Sequence, residues 1–571
     1  MHTLLLALLA GCPAPDVPPE PSGADDAEAA RLDAVRRELA QGRATAIVTD
    51  ASDLPEAERE MLRHLLDAAE TIEQLYELQR GADRWRGALV DDESRALFDR
   101  NAGPWCEQPG TRDEPACSAV PGGAPRVSGI YPDDLQEDGF CERLAAEHPE
   151  VMDPFHAAVM QDGALVAVPF SQRWPEPMQA VAASLTRAAD ALGPDTEVAL
   201  ATYLRAAAKA FGDDTWFEAD AAWAAMDQHN ARWYLRVGPD ETYFDPCDRH
   251  AGFALTLALV DPGGQAWQRR LEPVKQDMEE RFAELAGPLY TAREVHFDLP
   301  EFIRIVRNAG DARNPTGATV GQSLPNWGPV AEAGGRTVAM SNMTTDPATL
   351  EVRARVLSSV FCADTMDTWT PDPGPFLGTT VLHEAAHNLG PSSGHRVEGQ
   401  SDEERFGGPL SSLMEELKAQ TASLYYTGWL GERGLLDPPT VAAMRAADIG
   451  WALGKLAEGV GGADGGGDPY AQLAAIQVGW LLDHSGATWR DELAANGQDQ
   501  GCLALEPGAG EAINALMAEV LAAKGAMDVA AATALRDAYV GSGAHAKVHE
   551  AVTERFAREA RPSYHYVVEG L

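Results

Sequence analysis

A chain of 571 residues, 45% hydrophobic and 7% aromatic, has apolar content enough to fold along most of its length and is too long for one compact core. With 88 Asp and Glu against 45 Lys and Arg, its formal charge of −43 repels phosphate backbones and argues against nucleic acid as a partner. The same excess keeps the surface solvated and leaves cationic substrates open.

The chain opens with MHTLLLALLAGC. Leu4 to Ala10 form an apolar run far too short to span a bilayer, and Leu9-Ala10-Gly11-Cys12 resembles a bacterial lipobox. Residues 1–12 read as a lipoprotein signal peptide, with Cys12 lipidated, and residues 13–28 as a flexible Pro-rich tether. The expected location is the cell envelope, lipid-anchored and facing the periplasm or exterior. The remaining cysteines are Cys106, Cys117, Cys141, Cys247, Cys362 and Cys502, an even number, as in an exported protein. The turn-rich EQPGTRDEPA between Cys106 and Cys117 suits a local bridge.

From Asp25 to Gly81 the pattern is helical, with Leu62, Leu65, Leu66, Ala69, Ile72 and Leu75 on one face. Residues 100–140 read as ordered loop, and helical signals return over 173–212. Next come short β-type runs: GALVAVPF, ARWYLRVG, GFALTLALV, REVHFDLP and RTVAMSN. They predict one modest sheet or barrel assembled from distant segments. Beyond residue 345 the pattern is helical nearly to the end, interrupted by the Gly-rich VGGADGGGDPY, which lacks the GK[ST] of a phosphate loop and reads as a connector.

The chemistry concentrates in TTVLHEAAHNLGPSSGH, residues 379–395. His383 and His387, four apart on a helix, project from one face and can grip a single metal ion. Glu384 then stands where it can take a proton from an attacking water. A catalytic zinc needs a third protein ligand. His395 is one candidate, although the metzincin spacing would put histidine at 393, where this chain has serine. The other lies in SSLMEELKAQ, where Ser412 and Glu415 predict a capping box that starts a helix with Glu415 and Glu416 in its first turn. One glutamate could bind the metal while its neighbour accepts a hydrogen bond from an imidazole.

HEAAH, then HNLGP, then EELKAQ resembles the dipeptidyl-peptidase III family of zinc peptidases, particularly its bacterial members. VGPDETYFDP (237–246), SLPNW (323–327), GGRTVAMSN (334–342), GIYPDDL (129–135) and AAIQVGWLLDHSGA (474–487) have counterparts in the family's order, from about residue 90 to beyond 530. The resemblance implies one Zn2+ held by His383, His387 and Glu416, with Glu384 as general base and Glu415 and Gln420 supporting the ligands. It implies that Tyr243 donates a hydrogen bond to the oxyanion, and that Glu241 and Asn326 hold the peptide's amine and backbone. Three departures stand out. Gln420 replaces an acidic residue, Ser323 replaces an asparagine, and a family histidine that assists the transition state is replaced near Tyr470, which the resemblance implies faces the substrate.

The expected fold is therefore α+β, a mostly α-helical two-lobed metallopeptidase, with a small mixed β-barrel or sheet in one lobe and the zinc helices in the other. The expected divisions are a lower lobe over 29–261, the start of the helical lobe over 262–300, and β segments returning to the lower lobe over 301–345. A helical zinc-binding lobe over 346–535 and a C-terminal segment over 536–571 complete it. The expected activity is zinc-dependent release of dipeptides from the N-termini of short peptides by a monomer. The alternatives are a catalytically impaired lipoprotein that binds peptides or partners, and a metzincin-type protease using His395.

Overall fold

The structure, a computed structural model, describes residues 23–295, 299–392, 394–461 and 468–571. The lipobox with Cys12, most of the expected tether and the Gly-rich run at 462–467 lie outside these residues. A helix, Gly23–Ala40, already begins within the span expected as tether.

The chain divides into two compact units. The smaller comprises residues 23–41 together with 84–126, and carries helices Gly23–Ala40 and Asp92–Asn101. Its interior holds the fully buried Glu38 carboxylate, which accepts hydrogen bonds from Arg100 Nη2 at 2.6 Å, Asn101 Nδ2 at 3.0 Å and the Glu107 and Gln108 backbone N–H groups at 3.1 Å. A buried charge is tolerable only with such partners. Cys106–Cys117 closes the turn-rich loop, the local bridge its spacing suits.

The larger unit, 42–83 with 127–571, is α+β and contains two hydrophobic cores. In the first, helix Pro175–Leu192 packs against both Glu56–Gln79 and Val198–Asp213, and these two pack on a five-stranded sheet. Leu62, Leu65, Ala69, Ile72 and Leu75 are all fully buried, as their spacing predicts, and Leu66, off that face, is only partly so. The spatial order of the sheet is Trp233–Glu241, Gly252–Val260, Glu301–Gly310, Arg336–Met340, Gly321–Leu324. Neighbours are antiparallel except Glu301–Gly310 with Arg336–Met340, so the sheet is mixed. Gly321–Leu324 forms one edge, and no pairing among the described residues closes the sheet into a barrel. GALVAVPF forms a strand, Ala164–Pro169, but in a separate hairpin with His156–Gln161. The run REVHFDLP lies partly outside the described residues, at 296–298, and the central strand starts just beyond it at Glu301.

The second core gathers helices Pro373–His387, Gly408–Glu432, Pro438–Ala457, Pro469–Asp483 and Ala509–Ala526. Two β features correct the expectation of helix nearly to the end. ATWRDEL, helical by composition, is a strand, Ala487–Leu493, paired with Gln500–Leu505. The disulfide Cys362–Cys502 and the Cys362 N–H donating to the Leu503 carbonyl at 3.0 Å tie this hairpin down, and tertiary context overrides local propensity. The last strand, Arg561–Glu569, pairs in parallel with Gly42–Asp50, a union of distant segments that no local pattern announces. A third bridge joins Cys141 to Cys247.

GIYPDDL begins with a glycine for a packing reason. A Cβ on Gly129 would sit 1.9 Å from the Leu78 carbonyl oxygen, while the Gly129 N–H donates to Gln79 O at 2.8 Å. Gly129→Ala must therefore displace backbone, and we expect it to lower stability by about 1–3 kcal/mol. A lowered urea midpoint checks this; an unchanged midpoint contradicts it.

Candidate metal centre

The histidine helix, Pro373–His387, starts cleanly. Asp372 caps it by accepting from the Gly374 N–H at 2.8 Å, and proline occupies its first turn. Val381, Leu382, Ala385 and Ala386 bury one side in the second core. His383 and His387 thereby turn to the opposite side together, His383 nearly buried at 8% exposure. The chain leaves the helix through Gly390 at φ +65°, where a Cβ would lie 2.8 Å from the Phe282 ring.

The glutamate helix, Gly408–Glu432, begins earlier than its sequence suggests. Pro409 lies in its first turn and Gly407 precedes it, with no side-chain cap. Ser412 and Glu415 form no capping box, and Glu415 and Glu416 stand about two turns inside the helix. There they face the histidines, because the two helices pack directly against each other.

Three side-chain atoms converge. His383 Nε2 and His387 Nε2 are 3.1 Å apart, and Glu416 Oε2 lies 3.4 Å from the first and 3.8 Å from the second. Ligands about 2.0–2.1 Å from a tetrahedral zinc stand about 3.3–3.4 Å apart, so the spacing fits such an ion. The tautomer fits as well. His387 Nδ1 is 2.9 Å from Glu415 Oε1, and a proton donated there leaves Nε2 with a free lone pair. Glu416 Oε2 is buried and lacks a hydrogen-bond partner among the described residues, a loss that a cation would offset. The donor set of two imidazoles and one carboxylate is that of a catalytic zinc site with an open position.

Glu415 is the keystone of the support. Lys524 Nζ reaches its Oε2 at 2.6 Å, and the fully buried Lys418 Nζ its Oε1 at 3.0 Å. Burial works against its charge, but Lys418, the His387 N–H and Lys524 outweigh it and hold the carboxyl well below the usual range. Burial pulls Lys418 down to about 8 against the pull of Glu415. Lys418 stood in the quoted EELKAQ, three residues from Glu415, a legible signal; Lys524 comes from helix Ala509–Ala526 and gave none.

The remaining expected residues divide. Tyr470 sits in the first turn of helix Pro469–Asp483, not in a connector, and lines the same cavity as His383, His387 and Glu384. Burial and Glu416 push that phenol well above its ordinary value, so it stays a donor. Gln420 Nε2 donates to Asp448 Oδ1 at 2.8 Å, so the acid missing at 420 is present one helix away. Glu241 and Asn326 meet at the sheet: Asn326 Nδ2 donates to Glu241 Oε2 at 3.0 Å and to the Asp240 carbonyl at 2.9 Å. Gln322 Nε2 reaches Glu241 Oε1 at 3.3 Å.

Tyr243 is not brought to the trio. It follows the end of its strand, is 83% exposed, and does not line the cavity that His383, Glu384 and His387 open into. The His395 alternative is corrected. Its Nε2 is 2.9 Å from the Gly525 carbonyl and its ring packs edge-on to Tyr290, so it is committed elsewhere and stands outside the trio. The other cluster of ligand-type residues among those described, Cys362, Cys502 and Glu492, is spent on a disulfide.

His383 and His387, with Glu384, border a cavity of about 480 Å³. Its other wall is the sheet edge at Val320, Gly321, Gln322 and Ser323. Fold and donor set together define an α+β protein with a candidate divalent-metal centre in a cleft. The same fold is seen in the structure of DPP III from Caldithrix abyssi, with a TM-score of 0.75 and 22% identity over 93% of this chain and 98% of that one. It is seen again in dipeptidyl-peptidase III from Corallococcus sp. strain EGB, with a TM-score of 0.62 and 20% identity over 93% and 96%. No family model and no curated protein matches the sequence.

Asp448 yields a prediction. Ser423 has one hydroxyl proton and two neighbours, the Thr379 carbonyl at 3.1 Å and Asp448 Oδ2 at 2.7 Å. A protonated Asp448 donates to Ser423 and satisfies all three, and burial pushes its carboxyl up to about 6. A carboxyl raised in the folded state binds its proton more tightly there, so it costs stability as pH rises from about 4 through 6. In metal-free protein held with a chelator, Asp448→Asn should unfold at higher denaturant than wild type at pH 8, by up to about 3 kcal/mol, and should lose that advantage by pH 4. A difference that does not change with pH contradicts the assignment.

Proposed function

We propose that this chain is a zinc-dependent peptidase of the dipeptidyl-peptidase III type, releasing dipeptides from the N-termini of short peptides. The observation that carries the reading is the convergence of His383, His387 and Glu416 on one point, within this fold. Zinc held by these three would act as a Lewis acid toward water and a peptide carbonyl.

The chain's own groups supply the rest. Glu384 follows His383 on the same helix and lines the cavity, placed to accept a proton from the attacking water and to return it to the departing amine. Tyr470, kept protonated, offers a hydrogen bond beside Glu416. Gly321–Leu324 is an unpaired sheet edge on the cleft wall, a template on which an extended peptide can pair. Glu241 and Asn326, just past the end of that strand, are the carboxylate and amide that would hold the substrate's terminal ammonium. Tyr243 can reach the reacting carbonyl only if the sheet side closes on the helices, and its role is part of the proposal.

The reading extends to location. Lipidation at Cys12 would anchor the protein to a membrane in the cell envelope, and three disulfides support an oxidising compartment. A peptide-binding lipoprotein without turnover is the second reading, favoured by one feature, the phenol of Tyr470 in place of a group able to carry positive charge.

Glu384→Gln should keep one zinc per chain by metal analysis and lose about 10²–10⁴-fold in peptidase rate. Glu416→Ala should lose the metal. Dipeptide release undiminished in Glu384→Gln would overturn the assigned base.

A further inference from the structure

The sheet strand that ends at Glu241 is irregular near its end. In its pairing with Gly252–Val260, Pro239 is opposite Phe253 and Glu241 opposite Gly252, so Asp240 between them has no partner. An extra residue of this kind is a β-bulge, which bends its strand and re-aims the side chains around it. Here it folds Asp240 back onto Arg236, four residues earlier, a separation of about 13 Å in a regular strand.

The contact is buried. Arg236 and Asp220 are 6% exposed and Asp240 is 1% exposed. Arg236 Nε donates to Asp240 Oδ1 at 3.0 Å and Oδ2 at 2.9 Å, and its Nη2 also donates to Asp240 Oδ1. Its Nη1 donates to Asp220 Oδ1 at 2.6 Å, and the guanidinium lies 4.9 Å from the centre of the Trp223 ring. Burial works against this charge, but the attraction of Asp240 outweighs it and holds the group well above the ordinary arginine value. Each of the three nitrogens is thus engaged inside the protein.

What Asp240 turns toward the candidate site is its backbone. Its carbonyl accepts from Asn326 Nδ2 at 2.9 Å, and the same amide donates to Glu241 Oε2 at 3.0 Å. Asn326 is exposed and Glu241 only half-buried, so their own packing does not fix them, and a support is needed. Any turn of Asp240 moves both the carbonyl that holds Asn326 and Glu241, its neighbour in the chain. Resting on the peptidase reading above, in which Glu241 and Asn326 hold the substrate's terminal ammonium, we propose that Arg236 is a positioning residue for that pair. Its grip on the bulged Asp240 sets where the carboxylate and amide stand, and with that how strongly a free N-terminus is selected.

The test uses the full chain as zinc-loaded Glu384→Gln, which should bind peptides without cutting them. It is titrated calorimetrically with tetra-alanine and with propionyl-trialanine, which differs only in lacking the ammonium group. With Arg236 intact, tetra-alanine should bind about tenfold or more tightly, the worth of a charged hydrogen bond. Arg236→Lys keeps the buried charge and should fold, but an ammonium cannot grip both oxygens of Asp240 as a fork does. It should cut the ratio about threefold or more, while propionyl-trialanine binds within about twofold of its affinity for the parent. Added to Glu241→Gln, the same change should alter the ratio no further; a further fall there means that Arg236 acts elsewhere and overturns the proposal. A ratio unchanged by Arg236→Lys, or both peptides weakened alike, overturns it too and leaves the peptidase reading standing. A ratio near one in the parent overturns the placing of the ammonium at Glu241 and Asn326, and this proposal with it. If neither peptide binds, the peptidase reading fails, and crystal structures of the parent and of Arg236→Lys decide the positioning. An Asn326 amide that has left the Asp240 carbonyl supports it, and one still at 2.9 Å overturns it.

Discussion

The structure hangs on the contact between the histidine helix and the glutamate helix. Neither makes a site alone. Two imidazoles four residues apart present two donors, and a pair of adjacent carboxylates presents charge. Packed together, they put three donor atoms within 4.8 Å of one another. The second core holds this contact, with Leu382, Ala386, Leu417 and Leu424 all buried at 1% exposure or less. Interiors are close-packed, so the donor spacing is set by side chains that carry no chemistry themselves.

Charge management is the second constraint. Glu415 stays ionised in a buried place because Lys418 and Lys524 close on it, and that fixes the imidazole of His387. Glu416 Oε2, 3.4 Å from His383 Nε2, has no hydrogen-bond partner among the described residues. One carboxylate has both oxygens engaged by the protein, and its neighbour keeps one oxygen without a hydrogen bond among the described residues. That asymmetry separates a ligand from its support more sharply than their positions in sequence, where the two glutamates are adjacent.

Much of this was legible beforehand, for identifiable reasons. The i,i+4 histidines and their small apolar neighbours dictate a half-buried helix, and four of the five β-type runs become strands because alternation and turn chemistry are local. What escaped was non-local. The final strand depends on Gly42–Asp50 at the far end of the unit, and the hairpin at 487–505 on a disulfide to Cys362. The start of the glutamate helix escaped because Pro409 and Gly407 outrank a serine and glutamate that merely have cap spacing. Asp448 was invisible, since only folding sets it opposite Gln420. Of the two tyrosines given roles by resemblance, Tyr470 lines the cavity and Tyr243 stands exposed away from it.

The central claim is that two imidazoles and one carboxylate share an ion. X-ray absorption at the zinc edge, on the full chain loaded with one equivalent of zinc, tests it most directly. The account predicts two imidazole nitrogens and oxygen ligands at about 2.0–2.1 Å, with the imidazole scattering lost when His383 and His387 are both replaced. Zinc that binds with no imidazole scattering, or whose spectrum is unchanged in that double variant, would contradict it.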